Sequence, residues 1–300
     1  MIEAISLTKH YDDSKAVENA SFVLKGGRVT GFIGPNGSGK STTMKMILGL
    51  IKPTSGNAFI EGIRYRDLVS PIKVVGALLE PTFLHPGVSI FSHLKGAAIK
   101  CKIPEARVNE LLDLVGLAGK QKLRCAKASL GMKQRLGIAQ ALLGDPRVLI
   151  LDEPMNGLDP EGIIWLRNFL KNMASEGKCI FVSSHLMNEM AVLIDDALII
   201  KNGVIIANSS LTELARKYSN SYLEVSTTDN SAFVEILKNY YRENLNDSVV
   251  LLEGNLLKVA TNDPRWLGEL ALEKNIAIVH LVKKENTLEE IYTGLMNGNL

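Results

Sequence analysis

The sequence predicts an α/β protein built on a parallel sheet, followed by a small α+β domain. Three observations carry this. Val148-Leu149-Ile150-Leu151 and Cys179-Ile180-Phe181-Val182 are apolar, β-rich runs with no polar alternation, the pattern of strands buried on both faces. Helical spacing separates such runs, as parallel connections require. The tail after about residue 218 changes to short strands and helices in the order β-α-β-β-α-β.

The elements follow in chain order. Val29–Ile33 is a short apolar run entered through Gly26-Gly27. After a Gly-rich loop, Met46, Ile47 and Leu50 mark a helix over Thr42–Leu50. Asp159-Pro160 reads as an N-cap with proline at the first helical position, and Ile163, Leu166, Leu170 and Met173 line one face of that helix. Leu198–Ile200 and Val204–Ile206 form a hairpin through Asn202-Gly203, a pair that accepts positive φ. Leu211–Lys217 is helical, and polar Tyr218-Ser219-Asn220 marks a boundary, giving domains 1–218 (a helical subdomain over about 81–140) and 219–300. In the second domain the spacing predicts strand Tyr222–Val225, helix Ala232–Tyr240, and strands Val249–Leu252 and Leu256–Ala260. A helix opened by Asp263-Pro264, strand Ile276–Val282 and a last helix follow, the last with Thr287 and Glu290 at capping-box spacing. This order implies a ferredoxin-like arrangement.

Composition excludes several function classes. With 46% hydrophobic and 22% charged residues, the 300-residue chain can build a sizeable core and is not a disordered polymer. Lys plus Arg number 34 against 32 Asp plus Glu, so the basic footprint of a general nucleic-acid binder is missing. Cys101, Cys125 and Cys179 are few and scattered, which argues against a disulfide framework or zinc ribbon. No apolar stretch approaches the ~20 residues needed to span a bilayer, and the N-terminus lacks the pattern of a signal peptide. The expected location is cytosolic or docked on a membrane through a partner.

The decisive segment is Gly34-Pro35-Asn36-Gly37-Ser38-Gly39-Lys40-Ser41, which matches G-x-x-x-x-G-K-[ST] and leads into Thr42 at the helix start. Such a loop turns successive N–H groups toward phosphate oxygens, with the positive helix end behind them. Lys40 can reach the β- and γ-phosphates, and the Ser41 hydroxyl can ligate Mg²⁺. A second strand ends in Asp152-Glu153. Asp152 suits the metal, and Glu153 suits a general base for an attacking water.

These motifs, in this order, resemble those of the ATP-binding cassette (ABC) transporter ATPases over about the first two-thirds of the chain, which implies a P-loop cassette with a mixed sheet core, a helical subdomain and an antiparallel β subdomain. Ala128-Ser129-Leu130-Gly131-Met132-Lys133-Gln134-Arg135 is similar to the family's signature, usually L-S-G-G-Q. Ser129 and Gly131 match, while Ala128, Leu130 and Met132 depart. The resemblance implies that Ser129 and Gly131 bind the γ-phosphate held by a second subunit. It implies that Asp159, in a stretch similar to the D-loop, works across the dimer interface. His185 after Ser183-Ser184 matches the switch histidine, and Tyr11 resembles the adenine-stacking aromatic residue. Glu80 stands where the family carries Gln near Mg²⁺ and the attacking water, so it is a candidate for both the catalytic and the metal role.

Glu80, the Ser-Leu-Gly-Met form of the signature and the small C-terminal domain resemble the branch that exports peptide antibiotics such as bacitracin and lantibiotics. The expectation is an ATP- and Mg²⁺-dependent ATPase that forms a homodimer and drives a separate membrane permease from its cytoplasmic face. The segment from Pro81 to His93, with Phe83, Leu84, Val88, Ile90 and Phe91, reads equally as a permease contact or as core of the helical subdomain. Two other classes compete. A soluble ATPase of this type acting on nucleic acid or ribosomes would resemble tandem cassettes or carry a long coiled coil; one cassette and near-neutral charge disfavour it. A non-hydrolysing regulatory cassette is disfavoured by retention of Lys40, Asp152, Glu153 and His185.

Overall fold

Six strands form the main sheet, in the order β5-β6-β7-β3-β8-β9. They are β3 (Arg28–Ile33), β5 (Val75–Leu78), β6 (Val148–Leu151), β7 (Cys179–Ser184), β8 (Asp196–Lys201) and β9 (Val204–Ser210). All neighbours run parallel except the hairpin β8–β9. The computed structural model describes residues 1–12, 14–79, 84–218, 222–241, 249–252 and 256–297. Every residue of β6 and β7 is buried, which explains why neither run alternates.

A three-stranded antiparallel sheet, β2-β1-β4, joins β1 (Ile2–Tyr11), β2 (Ser14–Leu24) and β4 (Ser55–Ile60). Phe22 of β2 meets Phe32 and Phe181 of the main sheet in one aromatic cluster; the Phe32–Phe181 centroids are 5.1 Å apart. This cluster lies in the same core as Met44 and Ile47 of α1 (Lys40–Ile47). The remaining helices of this part are α2 (Pro71–Val74), α3 (Ile90–Lys100), α4 (Glu105–Leu114), α5 (Leu130–Ala141), α6 (Pro160–Ser175) and α7 (Met187–Leu193). Ile90 is fully buried, so this residue of the Pro81–His93 segment belongs to the core; Pro81 and Phe83 lie outside the described residues.

The chain divides into two compact units, Met1–Leu211 and Thr212–Leu300. α8 (Leu211–Tyr218) spans the division. The second unit carries β10 (Tyr222–Thr227), α9 (Asn230–Tyr241), β11 (Val249–Leu252), β12 (Leu256–Val259), α10 (Pro264–Glu273), β13 (Ile278–Lys284) and α11 (Leu288–Asn297). Its sheet is wholly antiparallel, in the order β11-β12-β10-β13. Leu223, Val225, Phe233, Leu237, Leu257, Val259 and Leu267 form its core.

Several boundaries differ from the sequence expectation for local reasons. α1 begins at Lys40 rather than Thr42, because Gly39 caps it in a left-handed conformation. α9 starts two residues before Ala232, since Asp229 accepts from the Ala232 N–H at 3.0 Å. β13 begins at Ile278 rather than Ile276, because the Ile276 N–H bonds back to Ala271 and finishes α10. Among the described residues, no helix is long and apolar enough to cross a membrane.

Candidate functional site

The sheet order sets β6, β7 and β3 side by side, so the segments leaving their carboxyl ends come together. Gly34 follows β3, Asp152 follows β6 and His185 follows β7. Ligands of parallel α/β sheets bind at this edge. A cavity of about 180 Å³ opens there, lined by Ala16, Asn36, Gly37, Gly39, Lys40, Ser41, Thr42, Asp152 and Glu153.

Lys40 is almost fully buried. Its Nζ donates to the Gly34 carbonyl at 2.7 Å and the Pro35 carbonyl at 3.1 Å. Burial lowers its pKa, and the Glu153 and Asp152 carboxylates pull it partly back. A buried ammonium that donates to loop carbonyls is well placed to turn to a stronger anionic acceptor. Ser38 Oγ is buried with no hydrogen-bond partner among the described residues, although such groups are ordinarily paired. Both observations fit a loop shaped around phosphate oxygens. The Ser41 hydroxyl and Asp152 carboxylate supply hard oxygen donors suited to Mg²⁺, an ion that takes few protein ligands and keeps substrate phosphates and water. Among the described residues no group of three or more His, Cys, Asp or Glu could enclose a metal.

Asp152 is held by its neighbours. Its N–H donates to the Leu78 carbonyl at 2.7 Å, and Ser183 Oγ donates to its Oδ1. The parallel register explains this contact. Leu151 pairs with Val182, so the next residues, Asp152 and Ser183, come level. Glu153 has φ +49°, a left-handed conformation rare for a non-glycine residue. Its Oε2 lies 2.9 Å from His185 Nδ1. His185 thus meets the acid that ends the adjacent strand; its side chain remains half exposed.

Ser129, Gly131, Asp159 and Tyr11 do not line this cavity. Ser129 is the N-cap of α5 and accepts from the Met132 N–H at 3.2 Å; Gly131 is the second residue of that helix. Asp159 caps α6, accepts from the Gly162 N–H at 3.0 Å and lies 3.8 Å from the Arg135 guanidinium. Tyr11 ends β1, is 44% exposed and has Lys9 Nζ 4.7 Å from its ring centroid. Glu80 lies outside the described residues. Sequence reasoning assigned no role to Ser183 or to Gln134, whose Nε2 donates to the Glu153 carbonyl at 3.1 Å. Both are polar residues at wholly buried positions, and that is a structural signal rather than a sequence one.

Comparison with known proteins agrees with this geometry. Residues 17–156 match the family described as ABC transporter. The chain is 34% identical to the bacitracin transport ATP-binding protein BcrA of Bacillus licheniformis, over 99% of this chain and 98% of that one. It is 39% identical to the lantibiotic transport ATP-binding protein SrtF of Streptococcus pyogenes, over 69% and 89% respectively. Among solved structures it is similar to a dimeric post-hydrolysis state of the ATP-binding cassette MJ0796 bound to ADP and Pi. There the TM-score is 0.64 and the identity 25%, over 70% of this chain and 99% of that one.

Proposed function

This chain belongs to the ABC transporter ATP-binding proteins, and from that premise we propose that it is the ATPase subunit of an exporter for an antimicrobial peptide or a related drug. The observation that supports this most is the joint placement of Lys40, Ser41, Asp152 and Glu153 around one cavity at the carboxyl edge of the sheet. In this reading ATP lies along Gly34–Ser41, with the loop N–H groups and Lys40 on its β- and γ-phosphates. Ser41 and Asp152 hold Mg²⁺, which neutralises phosphate charge when bound. Glu153 orients and deprotonates the attacking water, and His185, already against the Glu153 carboxylate, steadies that carboxylate and the γ-phosphate.

Tyr11 supports the adenine ring. Ser129, Gly131 and Asp159 do not line the cavity of their own chain, and by the family resemblance they are assigned to the nucleotide of a second copy. Two copies would close over two ATP molecules, part after hydrolysis, and pass that motion to a membrane permease on the cytoplasmic side. The segment that contains Glu80 and leads into α3 is our candidate for that contact. The unit after Leu211 is proposed as an accessory domain.

Purified protein should hydrolyse ATP only with Mg²⁺ present, and Glu153→Gln should lower turnover by about a hundredfold or more while keeping ATP binding. Near-normal turnover in Glu153→Gln would remove Glu153 from the base role. ATP binding with no turnover in the unaltered chain would favour a regulatory cassette.

A further inference from the structure

Glu153 sits in a conformation that its own backbone does not favour, with φ +49°. Something outside the local chain must hold it there. The two polar ends of its backbone each meet a buried side chain. The Glu153 N–H donates to Ser183 Oγ at 2.9 Å, and the same hydroxyl donates to Asp152 Oδ1. On the other side, Gln134 Nε2 donates to the Glu153 carbonyl at 3.1 Å. Both partners are wholly buried and come from distant elements, Ser183 from β7 and Gln134 from α5.

Gln134 is poorly explained as a stabilising residue. Its Oε1 is buried and, among the described residues, has no hydrogen-bond partner. The alternative amide orientation would set that oxygen against the Glu153 carbonyl, so chemistry fixes the assignment. The Glu153 carbonyl also accepts from the Asn156 N–H at 3.2 Å, so it does not depend on Gln134 to be paired. An apolar side chain of the same length would remove an orphaned acceptor and leave no backbone group unsatisfied. A buried polar group kept at such a site, beside a strained residue, is expected where precision of placement matters more than stability.

We propose that Gln134 and Ser183 are positioning residues for hydrolysis, fixing the two sides of the Glu153 backbone so that its carboxylate faces the phosphate loop. This rests on the reading of Glu153 as general base. The pair acts through Glu153 and needs no contact with nucleotide. Because Gln134 belongs to the helix that Ser129 caps, its amide also links that helix to the base within one chain.

The test compares Gln134→Met, Ser183→Ala, Ser183→Thr and Glu153→Gln in the full chain. Three quantities are read: turnover at saturating ATP, ATP affinity and the melting temperature without nucleotide. Gln134→Met should lower turnover by about ten- to a hundredfold, because a small misplacement of a catalytic group has that effect. Its ATP affinity should stay within about twofold and its melting temperature should not fall, an outcome that a merely structural glutamine would not give. Ser183→Ala should lower turnover similarly, and Ser183→Thr, which keeps the hydroxyl, should restore most of it. If Ser183→Ala fails to fold, Gln134→Met and Ser183→Thr still decide the matter. Turnover within about twofold of normal in Gln134→Met would overturn the proposal, as would a loss that tracks a fall in melting temperature and affinity. Retained turnover in Glu153→Gln would instead overturn the base assignment on which the proposal rests. Loss in Glu153→Gln with normal turnover in Gln134→Met and Ser183→Ala would overturn the positioning role alone.

Discussion

Replacing Gly39 by alanine should damage the phosphate loop far more than the same change at Gly37, two residues earlier. Gly39 has φ +106° and Gly37 has φ +77°, so both adopt conformations that side chains resist. They differ in the space beside them. A Cβ at Gly39 would stand 2.4 Å from the Ala16 carbonyl oxygen and 3.2 Å from Val17 Cγ2. A Cβ at Gly37 would meet nothing within 4 Å. Gly37→Ala therefore carries conformational strain alone, about 1 kcal/mol, or roughly a fivefold loss of the competent loop.

Gly39→Ala adds a clash with backbone that cannot swing aside, for a total of about 3 kcal/mol or more. ATP must then restore the loop as it binds, which weakens apparent affinity by about a hundredfold. Titration calorimetry with ATP, without metal so that no turnover occurs, measures both variants. Equal losses in the two variants, or normal affinity in Gly39→Ala, would refute the reasoning.

Lys40→Ala should weaken ATP binding by about tenfold or more in the same titration, since it removes the buried charged donor. Its melting temperature without nucleotide should not fall, because burial already disfavours the Lys40 ammonium. In the second unit, burial pushes the Glu290 carboxyl upward, but Lys258 and Thr287 outweigh this and hold it below its ordinary value. A depressed carboxylate contributes stability that is complete above its unfolded pKa of about 4.3 and is lost as pH falls through the lower folded value. Glu290→Gln should thus cost about 1 kcal/mol at pH 7, and progressively less as pH falls below about 4 and protonates the carboxyl. Denaturant titrations with Trp165→Phe as background, so that Trp266 of α10 reports alone, check this.

What the sequence made legible was local. β6 occupies Val148–Leu151, as its unbroken apolar run implies, and Asp159 caps α6 with Pro160 at its first turn. Thr287 and Glu290 exchange the two bonds of a capping box at the start of α11, 2.8 Å and 3.2 Å long. Each signal lies within four residues of its effect. The antiparallel sheet β2-β1-β4 was expected from the family resemblance and not from its own residues, because bulges break the registers of both β1 pairings and disturb the alternation that would mark them. Ser183 and Gln134 meet Glu153 from 30 and 19 residues away in sequence, through strand register and helix packing, and no local pattern encodes either contact. The loop and the acids were readable because their chemistry needs fixed residue types at fixed spacing. The residues that steady Glu153 needed only a hydroxyl and an amide in the right place.

The claim at the centre of this account is that one chain holds two halves of two different nucleotide sites. The direct measurement is the mass in solution of Glu153→Gln, by light scattering, with ATP, with ADP and without nucleotide. A dimer is expected with ATP, a monomer with ADP or none, and loss of the ATP dimer when Ser129→Arg is added. A chain that stays monomeric with saturating ATP, or a dimer indifferent to nucleotide and to Ser129, would contradict it.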